Sequence, residues 1–328
     1  MLTKKWLFCL LLTFSTSILA KSTLTIYTYH AFSSEWGPRR EIQNAFEKKY
    51  DCKLKFITLE DGIDLLNRLR IEGHNSQADV VIGLDNNLIQ AARETDLFAP
   101  HDINIQNLKL PGGWNDKIFL PYDYSYFAFI YDKRKLQNPP RSMNELINNH
   151  SSMKIIYPDP RSSTAGLGLL LWMQKIYGNN NASDAFKKLS KKTLTITKSW
   201  SGAYNLFLKG EADIVLSYIT SPAYHIIKEN KDYYVAACFS DGHYQQVEVA
   251  AQLKISKKAD LANLFMQFIL TPDFQKNIYT KSWMYPVIDI PLPIGFKKPP
   301  RKIVSFTPKQ IATERVSWIK DWQKAVSV

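Results

Sequence analysis

Two periods of apolar spacing alternate along this chain. "LTIYTY" (residues 24–29) is a short apolar run of strand character. "REIQNAFEKKY" follows, with Ile42, Phe46 and Tyr50 four residues apart on one helix face. "KLKFIT" returns to the strand pattern. "IDLLNRLRIEG" places Leu65, Leu66 and Leu69 together and stops at Gly73, and "ADVVIG" is again a strand. This βαβαβ rhythm predicts an α/β fold with a mostly parallel sheet.

The rhythm changes at "FLPYDYSYFAFIYDKRKL", a long aromatic strand that can cross between two lobes, and "QQVEVAAQLKI" is a second long strand that can cross back. Between them "MKIIYPDP", "KTLTIT", "ADIVLSY" and "YYVAA" are strands separated by helical stretches. After them come the helices "KADLANLFMQFIL", "TPDFQKNIY" and one from Pro308, on which Ile311, Trp318, Trp322 and Val326 share a face. Ser142 with Glu145 predicts a capping box. Thr271-Pro272 and Thr307-Pro308 predict an N-cap followed by proline at the first helical position.

The first twenty residues, "MLTKKWLFCLLLTFSTSILA", have the basic, apolar and small-residue order of a secretory leader cleaved after Ala20. The apolar run is too short for a membrane span, which takes about 20 residues. The expected organisation is therefore a leader (1–20), a discontinuous first lobe (21–122 and 248–328) and a second lobe (123–247). Small ligands lodge in the cleft such lobes make. Cys52 and Cys238 read as small buried side chains rather than a disulfide.

The formal charge is +12, or +10 without Lys4 and Lys5, and eight lysines and arginines from Lys297 onward face only Glu314 and Asp321. On an exported protein this is a solvated basic face, or a loose attraction to an anionic membrane surface, rather than a nucleic-acid surface.

Enzyme signatures are missing: there is no H-E-x-x-H, no G-x-S-x-G and no metal-binding cysteine cluster. We assign no catalytic residue, no metal and no cofactor. The informative residues are aromatic. Trp36, Trp200, Tyr218, Tyr224 and Trp283 all fall near strand ends or in the loops beyond, where ligands bind in open α/β sheets. Together they can box a flat cation by stacking and cation–π contact. Asp61 in "LEDG" can accept from an amino group on a heteroaromatic ring, although it is also a good N-cap for a helix starting at Gly62. Asp123 lies in the first crossing strand, at the cleft floor or in a hinge hydrogen bond. "DPRSSTAG" brings Ser162, Ser163 and Thr164 to a helix start, where hydroxyls, free N–H groups and the helix dipole can hold phosphate or carboxylate, or simply cap the helix.

Longer strings carry a resemblance. "LTIYTYHAFSSEWGP", "LEDGIDLLNRLRIEGHNSQADVVIGLDNN", "PYDYSYFAFIYDK", "DPRSSTAGLGLLLWMQKIYG", "LFLKGEADIVLSYITSPAYH", "GHYQQVEVAA" and "WMYPV" resemble the periplasmic thiamine-binding proteins, substrate-binding components of thiamine ABC transporters in Gram-negative bacteria. The resemblance implies a two-lobe type II binding-protein fold, and a monomer in the periplasm that closes on thiamine, thiamine monophosphate or thiamine diphosphate and docks on an inner-membrane ABC permease. It adds Tyr29 to the aromatic set with Trp36, Trp200, Tyr218, Tyr224 and Trp283. It makes Asp61 the acidic partner of the ligand, and Ser163 with its neighbours the phosphate end. Two rival readings stay open: a ferric-ion binding protein using Tyr218, Tyr224 and His30, and a secreted hydrolase of thiamine phosphates.

Overall fold

A computed structural model describes residues 21–149 and 152–327. The leader reading therefore lies outside the described residues. The strands are β1 (Thr23–Tyr29), β2 (Lys53–Leu59), β3 (Val80–Asp85), β4 (Leu120–Asp132), β5 (Ile155–Pro158), β6 (Thr193–Thr197), β7 (Ile214–Tyr218), β8 (Tyr234–Ala236), β9 (His243–Gln252), β10 (Tyr285–Pro286) and β11 (Ile303–Val304). The helices are α1 (His30–Ser33), α2 (Arg39–Tyr50), α3 (Gly62–Glu72), α4 (Ile89–Arg93), α5 (Met143–Asn148), α6 (Thr164–Ser190), α7 (Trp200–Leu208), α8 (Pro222–Glu229), α9 (Ala259–Ile269), α10 (Pro272–Asn277) and α11 (Pro308–Val326). The very short elements α1, α4, β10 and β11 have no periodicity for a sequence reading to catch.

The principal strand order is β2-β1-β3-β9-β4-β7-β5-β6. The outer pairs are parallel (β1 with β2 and β3, β5 with β6 and β7), and the central ones, β3–β9, β4–β9 and β4–β7, are antiparallel. The two long strands sit at the centre as expected. β4 pairs with β9 through its first half and with β7 and β8 through its second, so it passes from one lobe to the other. This is the two-lobe type II architecture.

Burial explains the strand sequences. In β1, Leu24 and Ile26 enter one apolar cluster with Phe46, Val80 and Phe265, while Tyr27 enters another with Leu65, Leu66 and Leu69. A parallel strand covered by helices on both faces has no polar side to show. The second cluster continues into the other lobe, where Trp172 is fully buried and stacks on Phe129 at 6.0 Å.

Of the three caps expected from the sequence, one forms in full, one in half and one not at all. Thr307 and Gln310 form the reciprocal capping box of α11. At α5, Ser142 accepts from the Glu145 N–H at 3.0 Å, but the Glu145 carboxylate takes the Arg141 N–H at 2.8 Å, so only half of the expected box exists. Thr271 precedes α10 without capping it, because its hydroxyl turns back to the Phe268 carbonyl at 2.7 Å. The cysteines are free, but only Cys52 is buried. Cys238 is exposed because β8 ends at Ala236 and the chain leaves the sheet before reaching it. The last helix, α11, lies chiefly against α6 and secondarily against α4. The Trp318 indole donates to Asn179 of α6 at 2.8 Å.

Candidate ligand-binding site

The carboxyl ends of β1, β2, β6 and β7 all open on one interlobe cavity of about 360 Å³. Tyr29 ends β1 and lies flat on β3. Gly83 permits this, since a Cβ there would meet the Tyr29 ring at 2.2 Å and the backbone φ is +112°. Trp36 follows α1 and is 45% exposed. Trp200 is the first residue of α7, oriented by its indole N–H, which donates to Ser217 at 2.8 Å, and by stacking on Tyr204 at 5.3 Å. Tyr218 ends β7 and packs on Phe127 at 5.2 Å. Tyr224 lies in the first turn of α8.

Trp283 arrives from the other direction, just before β10. Its φ of +57° puts a bulky side chain in the left-handed region, after a π-helical turn over Ile278–Ser282. A non-glycine residue held there costs of order 1–3 kcal/mol, and such strain gathers at ligand clamps. The rings meet across the cleft. Trp36 faces Trp200 with centroids 6.2 Å apart, and Trp283 meets Tyr224 edge-on at 5.5 Å. All six predicted aromatics line the cavity.

The polar residues divide. Asp61 lines the cavity, caps its helix as foreseen, and makes a second contact that was not foreseen. Its Oδ1 caps α3 by accepting from Ile63 N–H at 3.3 Å. The same atom reaches the opposite lobe and accepts from Thr164 N–H at 2.8 Å. The mouth of α6, read as a phosphate site, therefore already holds an anion, and that anion is Asp61. Burial raises the Asp61 carboxyl to about 6, opposed by the N–H groups of Thr164 and Ile63. Of the three expected hydroxyls only Thr164 borders the cavity. Ser162 donates outward to the Lys198 carbonyl at 2.7 Å. Ser163 is fully buried near Asp61, outside hydrogen-bond geometry. Asp123 is fully buried on β4, beneath the cavity rather than in its lining.

The sequence reading missed Glu248, Glu60, Tyr204, Ser199 and Ser201, all of which line the cavity. Glu248 had a signal: it is the one charged residue in "QQVEVAA", on a strand buried over most of its length. Its Oε2 accepts from the Tyr29 hydroxyl at 2.9 Å. Three carboxyl groups (Glu60, Asp61 and Glu248) thus face the cavity, and among the described residues no lysine or arginine lines it. In a chain of net charge +12 this local reversal selects a cation.

Residues 37–276 match the family of bacterial extracellular solute-binding proteins. The chain belongs to that family and, within it, groups with the thiamine-binding periplasmic proteins. The thiamine-binding periplasmic protein of Escherichia coli (strain K12) is 55% identical over 320 residues, covering 97% of this chain and 98% of the relative. That of Haemophilus influenzae is 42% identical, covering 96% of each. A solved periplasmic thiamin binding protein superimposes with a TM-score of 0.91 at 55% identity, over 94% of this chain and 97% of that one. These relatives are periplasmic binding proteins, not enzymes. The class implies an ABC transporter that receives the solute. Among the described residues no helix is long and apolar enough to cross a membrane.

Proposed function

We propose that this protein captures thiamine and its phosphate esters in the periplasm and hands them to an ABC permease of the inner membrane. One observation carries this reading: an aromatic box closed from both lobes, with three carboxyl groups and, among the described residues, no basic side chain in its lining. A thiazolium is a flat permanent cation, and each cation–π contact contributes roughly 0.5–2 kcal/mol. An aminopyrimidine offers N–H donors to a carboxylate such as Asp61. The phosphate of an ester would turn toward the start of α7, where the Ser199 and Ser201 hydroxyls border the cavity and would exchange their mutual hydrogen bond for one to the ester. The lobes, which we take as 21–122 with 248–328 and 123–247, would open about β4 and β9, with the leader of residues 1–20 removed on export.

Titration of tryptophan fluorescence with thiamine tests the reading. Saturable quenching is expected, together with thiamine or an ester in the mass spectrum of ligand released from the purified protein. Absence of both overturns it. Tyr218, Tyr224 and His30, the residues of the ferric-ion reading, line the same cavity, and an iron–phenolate colour on adding ferric ion, without quenching by thiamine, would favour that reading instead.

A further inference from the structure

Beneath the aromatic walls lies a carboxyl pair that ring stacking leaves unexplained. Glu248 borders the cavity from β9, and Asp123 is its register partner on β4. Asp123 is fully buried, and neither of its oxygens has a hydrogen-bond partner by geometry. Two ionised carboxylates offer each other only lone pairs, so side by side and out of water they rest stably only when one carries a proton.

Every element around the pair contributes titratable groups, and most are acidic. From β1, Tyr29 donates to Glu248 at 2.9 Å. From β4, the Tyr122 hydroxyl lies close to both Tyr29 and Glu248. From β3, Asp85 stands in register with Glu248 and is held by Gln246 at 2.8 Å and by Asn87. Tyr218 approaches from β7, and Asp61, beyond Asp85, from the start of α3. Arg315 on α11 acts on Asp85 from farther off. Glu60 and His30 border the cavity elsewhere.

We propose that the Glu248–Asp123 pair is both the counter-charge of the bound cation and a proton store, so that ligand entry ionises Glu248 and expels its proton to solvent. The proposal rests on the thiamine reading. No ligand bond breaks: the carboxyl O–H loses its proton to water, and the quaternary nitrogen keeps its charge. Burial raises both carboxyls, Glu248 to about 7 and Asp123, beside it, well above the usual carboxylate range; the pair titrates as one unit, and its labile proton leaves from the member that faces the cavity, Glu248. A cation stacked above stabilises ionised Glu248. Affinity is therefore highest where Glu248 is already ionised, and it falls as pH drops through 7.

Calorimetry with thiamine at pH 7, in two buffers of different ionisation enthalpy, counts the protons. The intact protein should release a measurable fraction of a proton per thiamine and bind several-fold more weakly at pH 6 than at pH 8. Glu248→Gln should release far less, bind about ten-fold more weakly, and lose the pH slope above 7 that Asp61 cannot supply. Thiamine binding with no proton release by the parent, or full release by Glu248→Gln, overturns the pair and leaves the ligand reading standing. Should the variant fail to fold by circular dichroism, the parent's proton count alone decides. If thiamine produces neither heat nor quenching at any pH, the ligand reading fails and the pair falls with it.

Discussion

Trp36, Trp200, Tyr224 and Trp283 enter the cavity from loops and helix starts of both lobes, whereas Glu248 and Asp123 lie within the two longest strands at the centre of the sheet. The walls are completed only when the lobes meet: Trp36 faces Trp200, and Tyr224 faces Trp283, across the cleft. The floor is already assembled in the cross-strand register of β4 and β9. Walls of this kind contribute stacking that depends on closure and is indifferent to pH. The floor contributes charge that depends on protonation. Asp61 belongs to both, since it caps a helix of one lobe and accepts an N–H from the other.

Three substitutions sharpen this contrast. The largest effect on binding is expected for Trp36→Ala, which removes an exposed wall. Thiamine affinity should drop ten-fold or more while the melting temperature and the pH slope of binding stay put. A changed slope would mean that wall and floor are not separable. Next comes Asp61→Asn, which keeps an oxygen for Ile63 and Thr164 but removes the charge. Binding should weaken about five-fold, as a charged acceptor gives way to a neutral one. The stability of the ligand-free protein should move the other way. Folded Asp61 titrates at about 6, above an unfolded carboxyl, so it holds a proton that the unfolded chain has lost. Its contribution is full below about pH 4 and fades as pH rises through about 6. The Asn variant should therefore melt about 2 °C higher than the parent at pH 7.5, and a lower melting point there would deny that burial of the charge is costly. The smallest effect on binding belongs to Thr307→Ala, far from wall and floor. Loss of the capping box costs about 1 kcal/mol and lowers the melting temperature by a few degrees, with thiamine titrations unchanged. Weaker binding in this variant would show that α11, through its packing on α6 and α4, takes part in closure.

Much of this site was legible before the structure. The aromatics announced themselves because strand ends in α/β folds are where ligands sit, and a Trp or Tyr in such a loop departs from ordinary turn chemistry. Asp61 stood out as a cap and proves to be one. The stretch Ser162–Ser163–Thr164 gives no rotation about the helix axis. Packing within the second lobe, where β5 pairs with β6, turns Ser162 to the Lys198 carbonyl and buries Ser163.

Periodicity by itself determined the α/β order, the two crossing strands and the ring-bearing loops, because these depend on which residues, spaced by two or by about four, must leave water. Only the tertiary structure decided that Asp61 occupies the mouth of α6, that Glu248 stands against Asp123, and that α11 lies chiefly on α6. Each is a meeting of segments tens to hundreds of residues apart, and electrostatic pairing at such distances is set by strand register and lobe docking, which local spacing does not encode.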